Sequence, residues 1–343
     1  TPDGTVVSFT KIEGDAAFMF PGQGSQYVNM GADLAMAFNL AIAPWDASAD
    51  MDFGGQHLHE IVFPIPRFSD AEREADENTL RATEWAQPGI GCTSLSALKM
   101  MDALGVKPVA FAGHSFGEVT ALHAAGVLSE QDMLRVARKR GELMAAAAEV
   151  PGAMTAVSAT IDIVESVLKD LNDPNVVVAN HNAPDQVVIS GTVEGVKSAE
   201  TQFTARGVTF KPLAVSTAFH SPVVSASVKP FSAFLDDVAF KKANLPVWSG
   251  ESAASYEADA KAMRDRLGRQ IANPVRFVQL VENMYAAGIR TFIEVGPGSV
   301  LTKLAGQILG DRPHVAVSTD RRSKNGIESF FRALASLSAA GVK

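Results

Sequence analysis

Residues 107–130, KPVAFAGHSFGEVTALHAAGVLSE, decide how the chain is read. A short apolar run reaches Gly113-His114-Ser115-Phe116-Gly117, and Ala- and Leu-rich residues with helical preference follow it. This pattern predicts a strand, a tight turn and a helix, with a serine at the turn. The spacing G-x-S-x-G matches a nucleophile elbow, in which small flanking residues let a strained turn close and expose the serine oxygen. The amides and positive dipole end of the following helix would then face the reacting centre. A Gly-rich helix start with Ser as its cap would use the same residues.

Working outward, DAAFMFPGQGSQYVNMGADLAMAF predicts a buried strand at 16–20, a Pro–Gly turn and a helix. Residues 50–76 read as an irregular connection ending in the acidic patch FSDAEREADEN. LRATEWAQPGIGCTSLSALKMMDALG reads as a helix stopped by Gly105. Alternation of strand and helix indicates an α/β fold with a parallel sheet. From about Met154 the order becomes strand, helix, two strands joined by HNAPD, helix, strand, ending in VTFKPLAV. That is the βαββαβ, ferredoxin-like unit. The expected division is a large α/β subdomain, 1–153 and 214–343, with a small inserted one, 154–213. After it come LPVWSGE, a helical stretch, the strand and glycine turn of IRTFIEVGPGSVL, and a C-terminal amphipathic helix.

Composition sets limits on function. The chain has 343 residues, enough for one large domain and a smaller one, and 47% of them are apolar, as in ordinary globular proteins. No apolar run is long enough to cross a membrane. The opening TPDGTVVSFTKIEGD lacks an initiator Met, as expected of a domain excised from a longer polypeptide or of a trimmed chain. A formal charge of −8 argues against a general nucleic-acid binder, and any anionic ligand must find a local cationic cluster. The single cysteine, Cys92, excludes an internal disulfide and fits a reducing, cytoplasmic compartment. No thiolate metal site is expected; HLHE at 57–60 offers two His ligands on an extended strand, or a solvated loop.

A serine hydroxyl needs a base, normally His. Among seven histidines, His114 adjoins the serine but would point elsewhere, His57 and His59 lie in the irregular segment, and His123 lies inside a helix. His181 falls in the turn of the small unit and His314 follows DRP. His220, in STAFHSPVV, remains as the candidate base; a cap or core role would suit the same position. No acid stands out as a third member, and a carbonyl acceptor on the far ring nitrogen would serve instead.

Seven segments then agree in order and spacing: FPGQGSQ, GHSFGE, RGELM, ANHNAPDQVVISG, AFHSP, ANPVRF and EVGPG. Together they resemble the malonyl-CoA:acyl-carrier-protein transacylase family, which includes the acyltransferase domains of fatty acid and polyketide synthases. The resemblance runs from about Ala17 to about Leu304. It implies an α/β-hydrolase-like large subdomain with an inserted ferredoxin-like one. It also implies malonyl-CoA as donor, the phosphopantetheine of an acyl carrier protein as acceptor, adjacent synthase domains as partners, and no bound cofactor or metal. A lone domain of this kind is expected to be monomeric.

Residue by residue, the resemblance makes Ser115 the nucleophile of a ping-pong transfer and His220 its base. It puts the backbone amides of Gln23 and Phe116 in the oxyanion hole and gives Gln270 the carbonyl that orients the histidine. Gln87, His114 and Phe219 fall in the acyl pocket. Arg140, 25 residues past the serine, matches the arginine that holds the free carboxylate of malonyl, which a planar guanidinium does through two hydrogen bonds. Arg135, Arg138 and Lys139 read as a solvated basic face, available to an acidic carrier protein. Phe219 would crowd an α-methyl and so favour malonyl over methylmalonyl. Phe116 and the 18–36 stretch look most like iterative polyunsaturated fatty acid and enediyne-type synthases. Arg321, Arg322 and Lys324 suit either coenzyme A phosphates, a carrier protein or a solvated patch. Two other readings use the same residues: a serine hydrolase or thioesterase, and a non-catalytic carrier-docking scaffold.

Overall fold

The computed structural model describes residues 12–147, 150–215 and 217–342, so most of the opening stretch lies outside them. Strand β1 (Asp15–Phe20) is buried along all but its first residue. Its Phe18 and Phe20 enter one core cluster and Ala17 and Met19 another, because successive side chains leave opposite faces of a sheet covered on both sides. Helices α1 (Ala32–Ala37), α2 (Asn39–Ala49), α3 (Leu58–Val62) and α4 (Asp70–Arg81) lead to the long α5 (Thr83–Ala103), which ends before Gly105.

Residues 50–76 are not the irregular connection expected, since they contain α3 and most of α4. HLHE opens α3, neither a strand nor a loop, and the acidic patch is α4. A capping box starts α4: Ser69 Oγ accepts from the Glu72 amide, and the Glu72 carboxylate accepts from the Ser69 amide at 3.1 Å. The S-x-x-E signal stood in FSDAE, but the lack of apolar residues masked it.

Strand β2 (Ala110–Gly113) leads into α6 (Gly117–Ala124) and α7 (Glu130–Ala146). The second sheet follows: β3 (Gly152–Ser158), α8 (Ile161–Leu171), β4 (Val176–Ala183), β5 (Gln186–Thr192), α9 (Val193–Ala205) and β6 (Thr209–Pro212). Its antiparallel order β4-β5-β3-β6 is that of the ferredoxin-like unit. Strand β4 runs on through His181 to Ala183, so that histidine lies in a strand and the turn shrinks to Pro184 and Asp185.

A 3-10 turn (Pro222–Ser227) and α10 (Val228–Asp236) return the chain to the first sheet. There follow β7 (Val247–Ser249), β8 (Ala254–Ser255), α11 (Ala260–Gln270), α12 (Phe277–Ala286), β9 (Ile289–Glu294), α13 (Val300–Leu309), β10 (Val315–Ser318) and α14 (Gly326–Ala340). The six-stranded order is β10-β9-β1-β2-β7-β8, parallel apart from the antiparallel edge pair β7–β8. The ANPVRF segment joins the two sheets: the Val275 amide donates to Ala179 O at 2.8 Å, and the His181 amide to Val275 O at 2.9 Å. Among the described residues no helix is long and apolar enough to cross a membrane.

Candidate active site

The turns at the carboxyl ends of β1, β2 and β7 converge, the usual place for a site in a parallel α/β sheet. Ser115 sits where β2 turns into α6, with φ of 51° in the left-handed region. Glycine on either side is a steric demand. A Cβ on Gly117 would lie 1.9 Å from Phe20 O, and one on Gly113 would lie 2.0 Å from the Gly117 carbonyl carbon. The elbow is pinned to the β1 turn, because the His114 amide donates to Phe20 O at 3.1 Å. This brings Gln23 to the same cavity as Ser115. Among the hydrogen bonds of the described residues, neither the Gln23 nor the Phe116 amide donates to an acceptor.

Ser115 Oγ lies 2.7 Å from His220 Nε2. The other ring nitrogen, Nδ1, faces two carbonyls, Asn273 O at 2.8 Å and Gln270 O at 3.2 Å. Two acceptors at Nδ1 require the proton there and leave Nε2 as the acceptor for the serine O–H. The Gln270 carbonyl thus faces Nδ1 from the longer distance, and the nearer acceptor is the Asn273 carbonyl, which carries no signal in the sequence. His220 also has a positive φ, 55°. Burial first, and then the neighbouring Arg140 charge, push its imidazole down to about 3, so it is neutral at physiological pH.

Arg140, on α7, is fully buried. Its Nη1 donates to Gln87 Oε1 at 3.0 Å, and its Nη2 donates to Gln270 Oε1 at 3.0 Å and to Ser115 Oγ at 3.3 Å. Among the described residues its Nε has no partner and no carboxylate forms an ion pair with it. Burial lowers its pKa to about 10, which still leaves a cation at neutral pH. Arg135, Arg138 and Lys139 differ in kind: each is paired with Asp132 or Glu142, and Arg138 also covers the Trp85 ring at 4.5 Å.

Gln270 does more than offer a carbonyl, since its Nε2 donates to Ser115 O at 2.8 Å. Glu118 was missed by sequence reading. It is buried, accepts from Tyr256 Oη at 2.5 Å and from the Gly250 amide at 2.8 Å, and burial raises its pKa. The signal was present, a carboxylate on an otherwise apolar helix start. His114 turns away from the serine, donating from Nε2 to Asn182 Oδ1 at 2.7 Å, yet it lines the cavity. Gln87 reaches Gln23 Oε1 at 3.4 Å. Phe219 lines the cavity wall with Met154, Val188 and Leu213.

The cavity encloses about 400 Å³, with Ser115, His220 and Arg140 in its floor and Glu77, Arg81 and Arg322 at its exposed end. Helix α4 thus supplies part of the wall. Cys92 is buried in α5, where burial raises its thiol pKa, and it does not line the cavity. The rings of His57 and His59 stack 5.4 Å apart, outside the cavity. Among the described residues no cluster of three or more His, Cys, Asp or Glu could hold a metal ion.

Comparison with known proteins places the chain in a family. The acyl transferase domain family matches residues 17–343. The malonyl CoA-acyl carrier protein transacylase of Bacillus subtilis is 37% identical over 323 residues, 92% of this chain and 96% of that protein. One component of the polyunsaturated fatty acid synthase of a Thraustochytrium species is 32% identical over 317 residues, 88% of this chain but 11% of its own length. A malonyl-transacylase solved in complex with its type II polyketide-synthase acyl-carrier protein superposes with a TM-score of 0.82 at 30% identity, covering 93% of this chain and 99% of that one. A family match over residues 17–343, with 37% identity along almost the whole of the Bacillus subtilis enzyme, shows that the chain belongs to the acyl transferase domain family.

Proposed function

We propose that this domain takes a malonyl group from malonyl-CoA onto Ser115 and passes it to the phosphopantetheine thiol of an acyl carrier protein. The observation that carries this reading is the Arg140 guanidinium. It is fully buried, paired with no carboxylate among the described residues, and reaches the nucleophile at 3.3 Å. A buried cation is costly unless paired. A malonyl carboxylate would supply the missing anion at the one place where it also orders the thioester against the serine.

Ser115 Oγ attacks the thioester carbonyl carbon while its proton passes to His220 Nε2, 2.7 Å away. The carbonyl electrons move to oxygen, where the Gln23 and Phe116 amides would donate; such donors are worth about 3–4 kcal/mol in the transition state. Collapse expels the coenzyme A sulfur, which takes the proton from the imidazole. The carrier thiol then gives its proton to Nε2, attacks the ester, and Ser115 leaves with that proton. The Nδ1–H stays on the Asn273 and Gln270 carbonyls throughout and stabilises each imidazolium. When the malonyl carboxylate neutralises Arg140, one of the causes depressing the His220 pKa is offset. Binding of the right acyl group therefore makes the base stronger.

The Phe219 ring in the acyl wall supports malonyl over methylmalonyl. The two sheets support a division into 1–153 with 214–343 and an inserted 154–213. Adjacent synthase domains as partners are supported by relatives in which this region is a small part of a longer chain. A cytoplasmic setting is supported by the single buried thiol of Cys92. The test is transfer itself: holo-carrier protein with malonyl-CoA should gain a malonyl group only when the domain is present. Coenzyme A release with free malonate and no malonyl-carrier would mean a hydrolase instead.

A further inference from the structure

The exposed end of the cavity carries charge that the transfer chemistry does not use. Arg81 at the end of α4 and Arg322 in the turn after β10 line it from two separate elements, with Glu77 beside them. Arg322 is mounted, not loose. The Tyr27 hydroxyl donates to the Asp320 carboxylate, which also accepts from the Gly298 amide at 2.9 Å. This ties the turn to the loop that bears Gln23, and the Arg322 guanidinium lies 5.7 Å over the Tyr27 ring. Its side chain is still 61% exposed, and its ion pair with Glu77 is long, 3.5 Å. Arg81 donates to the Asn78 amide oxygen at 2.7 Å and pairs with no carboxylate among the described residues. The chain as a whole is at −8, so a polyanionic substrate needs a local positive field at the mouth.

We propose that Arg81 and Arg322 form a phosphate subsite that reads the phosphoryl end of a phosphopantetheine arm whose thioester lies at Ser115. This rests on the transfer reading above. Glu77 competes with the phosphate for Arg322, so the resting ion pair gives way when the substrate arrives. The shared chemistry is a pantetheine phosphate, and it comes from coenzyme A in the first half-reaction or from the carrier protein in the second.

The test is the ratio of acylation kcat/KM for malonyl-CoA to that for malonyl-pantetheine, which has no phosphate, in the intact domain. Arg81→Gln and Arg322→Gln should each lower the ratio about fivefold, the size of one partly exposed charge pair. Glu77→Gln should raise it about twofold. Transfer from the acyl-enzyme to holo-carrier protein, against transfer to pantetheine, reads the second source in the same way. A fall in both half-reactions assigns the subsite to the common arm, and a fall in one assigns it to that donor or acceptor. An unchanged ratio in both half-reactions for the Arg81→Gln/Arg322→Gln double variant overturns the proposal and leaves the transfer reading intact. Wild-type protein acylated by neither donor would sink both.

Discussion

Replacing Arg140 by alanine separates the acyl clamp from the rest of the machinery. The guanidinium touches three groups: Gln87 Oε1, Gln270 Oε1 and Ser115 Oγ. In the transfer reading a malonyl carboxylate becomes the fourth. Leaving that carboxylate buried without its cation costs about 3–5 kcal/mol. At about 1.4 kcal/mol per tenfold, kcat/KM for malonyl-CoA acylation should fall roughly 10²- to 10⁴-fold. Acetyl-CoA brings no carboxylate and leaves the wild-type guanidinium unanswered, so its rate should hold or rise in Arg140→Ala. Arg140→Lys keeps the charge but loses the planar fork and should fall between. Rapid-quench acylation followed by intact mass gives both rates on one preparation. Equal losses for malonyl and acetyl would show that Arg140 merely holds Gln87, Gln270 and the serine in place, and the carboxylate clamp would be wrong.

Three further outcomes are expected. Gly117→Ala drives a Cβ to 1.9 Å from Phe20 O and should destabilise the fold by about 3 kcal/mol, so a thermal melt unchanged from wild type would refute the packed elbow. His220 titrates near 6.5 unfolded and at about 3 folded, so between these values the unfolded chain binds more protons and stability is lost as pH falls from about 6.5 towards 3. Burial shifts His114, His123 and His181 the same way. His220→Gln should therefore lessen, without abolishing, the drop in Tm between about pH 7.5 and pH 5; an equal drop in both proteins contradicts the neutral imidazole. Phe219→Ala should narrow the malonyl preference over methylmalonyl about tenfold, read as the ratio of the two kcat/KM values, and an unchanged ratio would remove Phe219 from selection.

The elbow was legible because its chemistry is local. A strand, a strained turn and a helix start occupy adjacent residues; glycine at 113 has a steric cause within the motif, whereas glycine at 117 is required by Phe20 O of the neighbouring strand. The βαββαβ unit was legible through period and turn residues, although β4 runs further than its turn formers suggested because Val275 pairs with it from another part of the chain. Helix α4 was not legible as a helix, since twelve polar-rich residues give no apolar stripe and only the capping box marks the start. The Asn273 partner of His220 was hidden for a different reason, and Gln270 was named only through the resemblance. The carbonyls of Gln270 and Asn273 carry no side-chain signature, and they reach the imidazole only when the end of α11 folds back. Glu118 likewise gained its meaning from Tyr256 and Gly250, far away in sequence.

In the proposed transfer Ser115 carries the acyl group between donor and carrier. The direct measurement is the intact mass of the domain after mixing with malonyl-CoA, followed by peptide mapping and a chase with holo-carrier protein. A single malonyl adduct on the Ser115 peptide is expected, cleared as the carrier gains the same mass, with no adduct on Ser115→Ala. Undiminished malonyl transfer to the carrier by Ser115→Ala, or an adduct mapping to another residue, would contradict that role of Ser115.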